Sequence, residues 1–214
     1  MRERLIVWSK RFLFSFLFCT ALNLPLVAQT NQGFAKKLVE AARERTEHFV
    51  VYNGAYRKIA YPMGDVPNNI GVCTDVVIRS YRKLGIDLQE LIHEDMQANF
   101  SLYPNIWGLS HTDTNIDHRR VPNQRVFFSR FGRSLPISNK AEDYLPGDIV
   151  SWDLSAGTPH IGIVSDKKSR KGTPLVIHNV GWGPKEDDRL FAYSITGHYR
   201  YHPDLGTTVN HSEE

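Results

Sequence analysis

Pro146-Gly147 divides this chain into two halves of different texture. Before it, apolar residues recur at helical intervals; after it, they fall into short blocks of the kind that strands use. The spacing predicts helices over 33–52, opened near Asn31; over 73–84, stopped by Gly85; from a cap at Asp87 through Leu88, Leu91, Ile92 and Met96; and over 123–131 before Gly132. Strands are predicted over 148–152, 160–165, 175–180 and 189–201, separated by clusters of Gly, Pro, Asp and Lys. Helices that precede a meander bury their apolar faces on it, so the expected class is α+β, with the helix that begins at Cys73 packed on an antiparallel sheet. Residues 29–201 suit a single domain, and 202–214 have little to bury and read as a flexible tail.

The first residues carry a different message. Arg2, Arg4, Lys10 and Arg11 flank an apolar run, Phe12 to Leu22, that is too short for a membrane span and suits the core of a signal peptide covering residues 1–28. Cys19 lies inside it and would leave with it. Export to the periplasm or the exterior is therefore expected, with no stable membrane insertion after cleavage. The leader holds four basic residues against one acid, Glu3, so the 26 basic and 23 acidic residues of the whole chain become 22 of each after cleavage. A neutral mature chain argues against nucleic acid as a partner, which wants a concentrated basic surface. A monomer is expected.

Cleavage would leave one cysteine, Cys73. Exported proteins meet an oxidising environment and usually pair their cysteines or avoid them. A lone thiol is then an inert buried residue, half of an intermolecular bridge, or a nucleophile. Its place favours the last: Cys73 opens a predicted helix, where the helix dipole favours a thiolate, and a nucleophilic thiol further needs an imidazole close in space. Of nine histidines, His160 and His178 alone sit in apolar strands, in Pro159-His-Ile-Gly-Ile-Val-Ser and Leu175-Val-Ile-His-Asn-Val. A buried imidazole costs free energy unless hydrogen-bonded. On adjacent antiparallel strands the two would satisfy one another, with His160 as base and His178, or its neighbour Asn179 on the opposite face, as the residue that orients it.

Five segments resemble a known family: Gly71-Val-Cys-Thr-Asp-Val-Val-Ile-Arg79, Asn115-Ile-Asp-His-Arg-Arg-Val-Pro122, Pro146-Gly-Asp-Ile-Val150, His160-Ile-Gly-Ile-Val164 and Val176-Ile-His-Asn-Val-Gly181. They look like the bacterial domain of unknown function numbered 1287, which resembles the NlpC-type cell-wall peptidases of the papain-like clan. The resemblance implies a papain-like fold without cofactor or metal, and a triad of Cys73, His160 and His178. It also implies a tyrosine near the oxyanion site, for which Tyr61 is the candidate. The implied reaction is hydrolysis of an amide bond in peptidoglycan peptides through a thioester. Thr74-Asp75 departs from the small Ser-Gly that follows the NlpC-type cysteine, so details of substrate do not carry over.

Asp75 reads as a first-turn acid that complements the helix dipole, or as a ligand for a substrate amine. Asp117, His118, Arg119 and Arg120 lie in a long polar loop and could bind a substrate carboxylate or support the site. His111, Asp113, Asp117 and His118 also have the residue types of a zinc site, so a zinc-dependent amidase is one rival reading. A cell-wall binding domain without catalysis is the other.

Overall fold

A computed structural model describes residues 26–203. All but the last three residues of the expected signal peptide lie outside the described residues, as does the expected tail from residue 204 onward. The chain forms helix α1 (Leu26–Glu44), strands β1 (Val51–Tyr52) and β2 (Ile70–Gly71), helices α2 (Cys73–Lys83), α3 (Leu88–Ala98) and α4 (Val121–Phe131), then strands β3 (Arg133–Ser134), β4 (Ile149–Asp153), β5 (Pro159–Lys168), β6 (Pro174–Asn179), β7 (Pro184–Asp187) and β8 (Ser194–Arg200). Helices and sheet are mixed as α+β. Strands β3 to β8 build one antiparallel sheet in the order β3-β8-β4-β5-β6-β7, and β1 pairs with β2 in parallel. Among the described residues no helix is long and apolar enough to cross a membrane.

The sheet has a core on each face. Val77, Tyr81, Phe127 and Phe128 from the helices meet Ile149, Ile161, Ile163 and Ile177 of the sheet in the larger one. Strand alternation sends Val150, Trp152, Val164 and Val176 to the other face, where Tyr144 and Leu190 cover them.

Two helix ends follow local chemistry. Asp87 accepts a hydrogen bond from the Gln89 amide at 3.0 Å and caps α3. Gly85, at φ +80°, stops α2 in a conformation that side-chain-bearing residues avoid. The first helix departs from expectation. It starts at Leu26 and ends at Glu44, eight residues short of the predicted end, because the Thr46 hydroxyl bonds back to the Arg43 carbonyl at 2.8 Å and the chain turns extended at His48. Phe49, which extended the helical spacing, is 85% exposed. Val51 and Tyr52 are thereby freed to form β1 beside the segment that leads into Cys73.

Candidate active site

Cys73 is the first residue of α2 and only 4% exposed. The backbone amides of Ile161 and Thr74 and the Tyr52 hydroxyl lie close enough to its sulfur to favour the thiolate. The Ile161 amide belongs to the peptide that joins His160 to Ile161, so the thiol abuts the start of β5. The Tyr52 hydroxyl also lies against the Cys73 backbone N–H. Burial, with the charge of Asp75 added, pushes the thiol up to about 11 against those three neighbours. Desolvation therefore opposes the stabilisation that a helix start offers a thiolate.

His160 and His178 lie on neighbouring strands, and their Nε2 and Nδ1 atoms are 2.7 Å apart. Gly162 allows this approach: a Cβ there would meet the His178 Cβ and the Ile177 carbonyl, each at 2.9 Å. The Trp152 ring lies 5.7 Å from His160 and 6.2 Å from His178, centroid to centroid, and its own N–H donates to the Leu190 carbonyl. Both imidazoles are buried. Burial, then repulsion from His178, brings the His160 imidazole down to about 3 despite a favourable Asp187. Burial thus favours the uncharged form of both the thiol and the imidazole. It is His178, not Asn179, that contacts His160; the Asn179 side-chain oxygen Oδ1 instead accepts from the Gly181 amide at 3.1 Å.

The second nitrogen of His178, Nε2, lies 2.8 Å from Asp187 Oδ1. Asp187 stands on β7, a segment read from sequence as part of a turn. Its polar run Pro184-Lys-Glu-Asp carries the marks of an edge strand, a leading proline followed by charges, which was the available signal.

The remaining sequence candidates hold the site from below. Arg119 grips Asp75 with two bonds of 2.8 Å, both side chains nearly fully buried, and Asp75 Oδ2 accepts from the Val72 amide at 2.6 Å. With its oxygens so occupied, Asp75 fits its helix-start reading and does not face a substrate amine. Thr74 donates to the Arg119 carbonyl, adding a second tie between the loop and α2. Asp117 is buried, accepts from the Asp113 amide, and pairs with Arg120 at 3.3 Å; the Arg120 guanidinium covers the Trp107 ring at 3.9 Å. His118 is buried behind them, and burial, then the cations Arg119 and Arg82, bring it down to about 3. These four residues anchor a loop and do not present a carboxylate clamp.

Two sequence proposals are corrected. Tyr61 packs edge-on against His93 at 5.1 Å, and the tyrosine at the thiol is Tyr52. Sequence reading missed it because the helical spacing ran through it. The proposed zinc ligands do not converge: among the described residues no group of three or more His, Cys, Asp or Glu side chains is placed to hold a metal ion. His111 is exposed and bonded to Ser110, whereas His118 is buried.

The sequence profile described as "Domain of unknown function (DUF1287)" matches residues 39–201. The uncharacterized protein YijF of Escherichia coli (strain K12) is 50% identical over 177 residues, which are 83% of this chain and 86% of its own. Among solved structures, NlpC1 from Trichomonas vaginalis superposes with a TM-score of 0.42 at 15% identity, over 78% of this chain and 44% of that one. The chain thus spans less than half the length of that protein.

Proposed function

This chain belongs to the DUF1287 family, and from the geometry of its site we propose that it is an exported cysteine hydrolase of papain-like type that cleaves an amide bond. The observation that carries this is the 2.7 Å bond between two buried imidazoles, one of them on the residue that precedes Ile161, whose amide lies by the Cys73 thiol. Stable burial of such a pair is costly, and a structural role alone leaves unexplained why it stands at the strand end that abuts a thiol at a helix start.

The chemistry is acyl transfer. The Cys73 sulfur attacks the carbonyl carbon while its proton passes to His160 Nδ1, the nitrogen not engaged by His178. The carbonyl electrons move to oxygen, which the Cys73 backbone N–H and the Tyr52 hydroxyl hold as donors. Collapse of this adduct breaks the C–N bond, and the amine leaves with the proton from His160. A thioester remains. Water attacks it, gives a proton to His160, and expels the sulfur, which recovers that proton as the carboxylic acid departs. Because burial disfavours both charged forms, the proton passes to His160 as the sulfur attacks.

The substrate class is inferred to be a peptide amide of peptidoglycan, a reading supported by the exported leader and by the NlpC-like motifs. The reading includes a periplasmic or secreted location and a monomeric enzyme. Mass spectrometry of purified murein digested with the mature protein tests it, beside Cys73→Ala and chelator-treated samples. New peptide products that vanish only with Cys73→Ala are expected, with loss of about a thousandfold or more in rate. Equal products from Cys73→Ala would overturn the thiol mechanism, and binding without products in any sample would favour a wall-binding module.

A further inference from the structure

A carboxylate only accepts hydrogen bonds, and this one stands at the head of a chain of three groups. Asp187 Oδ1 faces His178 Nε2 at 2.8 Å, and His178 Nδ1 faces His160 Nε2 at 2.7 Å. If the carboxylate is ionised, His178 must carry its proton on Nε2 to donate to it. His178 Nδ1 is then bare and accepts, so the proton between the rings sits on His160 Nε2. A neutral His160 has one ring proton, and this leaves Nδ1 bare: the nitrogen that must accept the thiol proton. The opposite arrangement sets two lone pairs against each other at Asp187 and puts a proton on His160 Nδ1, where it blocks that acceptance.

We propose that Asp187 is a positioning residue that fixes the tautomers of both imidazoles and so keeps His160 ready as a base. This rests on the reading of Cys73 and His160 as nucleophile and base. Groups around Asp187 favour its ionised form. Burial works against it, but the bond from His178 and the nearby Arg189 and Lys185 outweigh burial and hold its carboxyl below the usual value. Arg189 Nε lies 3.9 Å from Asp187 Oδ2, and the 3-10 turn Arg45–Glu47 packs on β7 from α1. The neighbouring Glu186 belongs to a separate network with Arg43, Ser165 and Lys167, which fastens β7 to α1 and β5. Strand placement therefore does not depend on Asp187.

The test separates tautomer control from mere packing. Asp187→Asn keeps size and shape, yet its amide N–H can donate to His178 Nε2 and reverse every proton in the chain. Asp187→Ala removes the acceptor and imposes nothing. Second-order rates of Cys73 alkylation by iodoacetamide would be measured from pH 5 to pH 11 in the full mature chain, with 15N spectra of the histidine rings. In the unaltered protein a plateau of reactivity at neutral pH is expected, with His160 Nδ1 unprotonated. Asp187→Asn should lower the neutral rate about tenfold or more, leave only a rise toward the thiol's own pKa, and show His160 Nδ1 protonated; Asp187→Ala should fall between. Wild-type rates and an unchanged His160 spectrum in Asp187→Asn would overturn the inference. His160→Ala is the control on the underlying reading: if it too alkylates as the wild type does, the base assignment fails; if it alone is slow, only the role of Asp187 fails.

Discussion

The sheet contains two histidine–aspartate pairs of the same length: in one both side chains are buried, in the other the histidine is buried and Asp187 is 35% exposed, and they end differently. On one, His198 Nε2 and Asp148 Oδ2 are 2.8 Å apart. Asp148 also accepts both arms of Arg200, at 2.7 and 2.9 Å, and the Leu145 amide at 2.9 Å, while His198 Nδ1 faces the Pro136 carbonyl. Both ring nitrogens of His198 thus have protein partners, and the cluster is closed. On the other, Asp187, His178 and His160 form a line whose last nitrogen, His160 Nδ1, has no hydrogen-bond partner among the described residues and is the one the proposed mechanism uses. The same residue types form a rivet where both histidine nitrogens are matched within the fold, and under the proposed mechanism a relay where one is left over. The histidines are equally buried in both; the pairs differ in the exposure of the aspartate and in whether a ring nitrogen is left over.

The largest effect expected from breaking this comparison is on the closed cluster. Asp148→Ala strands Arg200 and His198 without their acceptor, and loss of one partner of a buried charged group costs about 3–5 kcal/mol. Urea denaturation should show that loss, while the folded fraction still alkylates at Cys73 at the wild-type rate. A variant that stays fully stable but loses thiol reactivity would mean that the two clusters are coupled, and the division would fail.

Next comes the Tyr52 hydroxyl. If it helps to hold the oxyanion, Tyr52→Phe should reduce turnover about a hundredfold, in the range for removal of one such donor, with stability changed by less than about 1 kcal/mol. Steady-state kinetics on the murein fragment identified by digestion would check it. An effect confined to KM would point to substrate contact instead.

Acid and alkali should also attack the open line. His160 and His118 are held down to about 3 from 6.5, so the folded state resists their protonation. The stability they contribute is complete above about pH 6.5 and is lost as pH falls through 3. Cys73 is raised from 9.0 to about 11, so its contribution holds below pH 9 and fades as pH climbs through 11. Denaturation midpoints measured across pH should fall on both limbs, with the alkaline fall reduced in Cys73→Ala. A flat alkaline limb in the unaltered protein would show that the thiol is not desolvated.

Much of the scaffold was legible in the sequence because its signals are local. Asp87 caps, Gly85 stops a helix, and apolar blocks between turn residues became β4, β5, β6 and β8. The pairing of His160 with His178 was legible too, since two imidazoles in adjacent apolar strands have few other partners. What stayed hidden depends on distance. The polar strand β7 is fixed by its pairing with β6, register His178 to Lys185, and no periodicity marks it. Tyr52 reaches the thiol only because α1 ends early and β1 pairs with β2. The raised thiol arises from burial by segments far apart in sequence, whereas the dipole argument sees only the helix that carries it. Arg119 and Arg120 look alike in sequence, and only the fold turns the first inward to Asp75 and the second out over Trp107.

The smallest effect expected is at the tyrosine that sequence reading chose. Tyr61 is 41% exposed and its ring meets His93 edge-on at 5.1 Å, an arrangement worth about 0.5–1.5 kcal/mol beyond burial. Tyr61→Ala should therefore cost about 1 kcal/mol in urea denaturation and leave the alkylation rate of Cys73 within about twofold of the wild type. Measured side by side with Tyr52→Phe, it decides which of the two belongs to the reacting centre. Both rings lie upstream of the cysteine and both are partly exposed, yet one hydroxyl touches sulfur and the other ring leans on a scaffold histidine. A Tyr61 variant that slowed the thiol as much as the Tyr52 variant would mean that the loop from 53 to 69 moves with the site, and that the line between relay and scaffold runs through it.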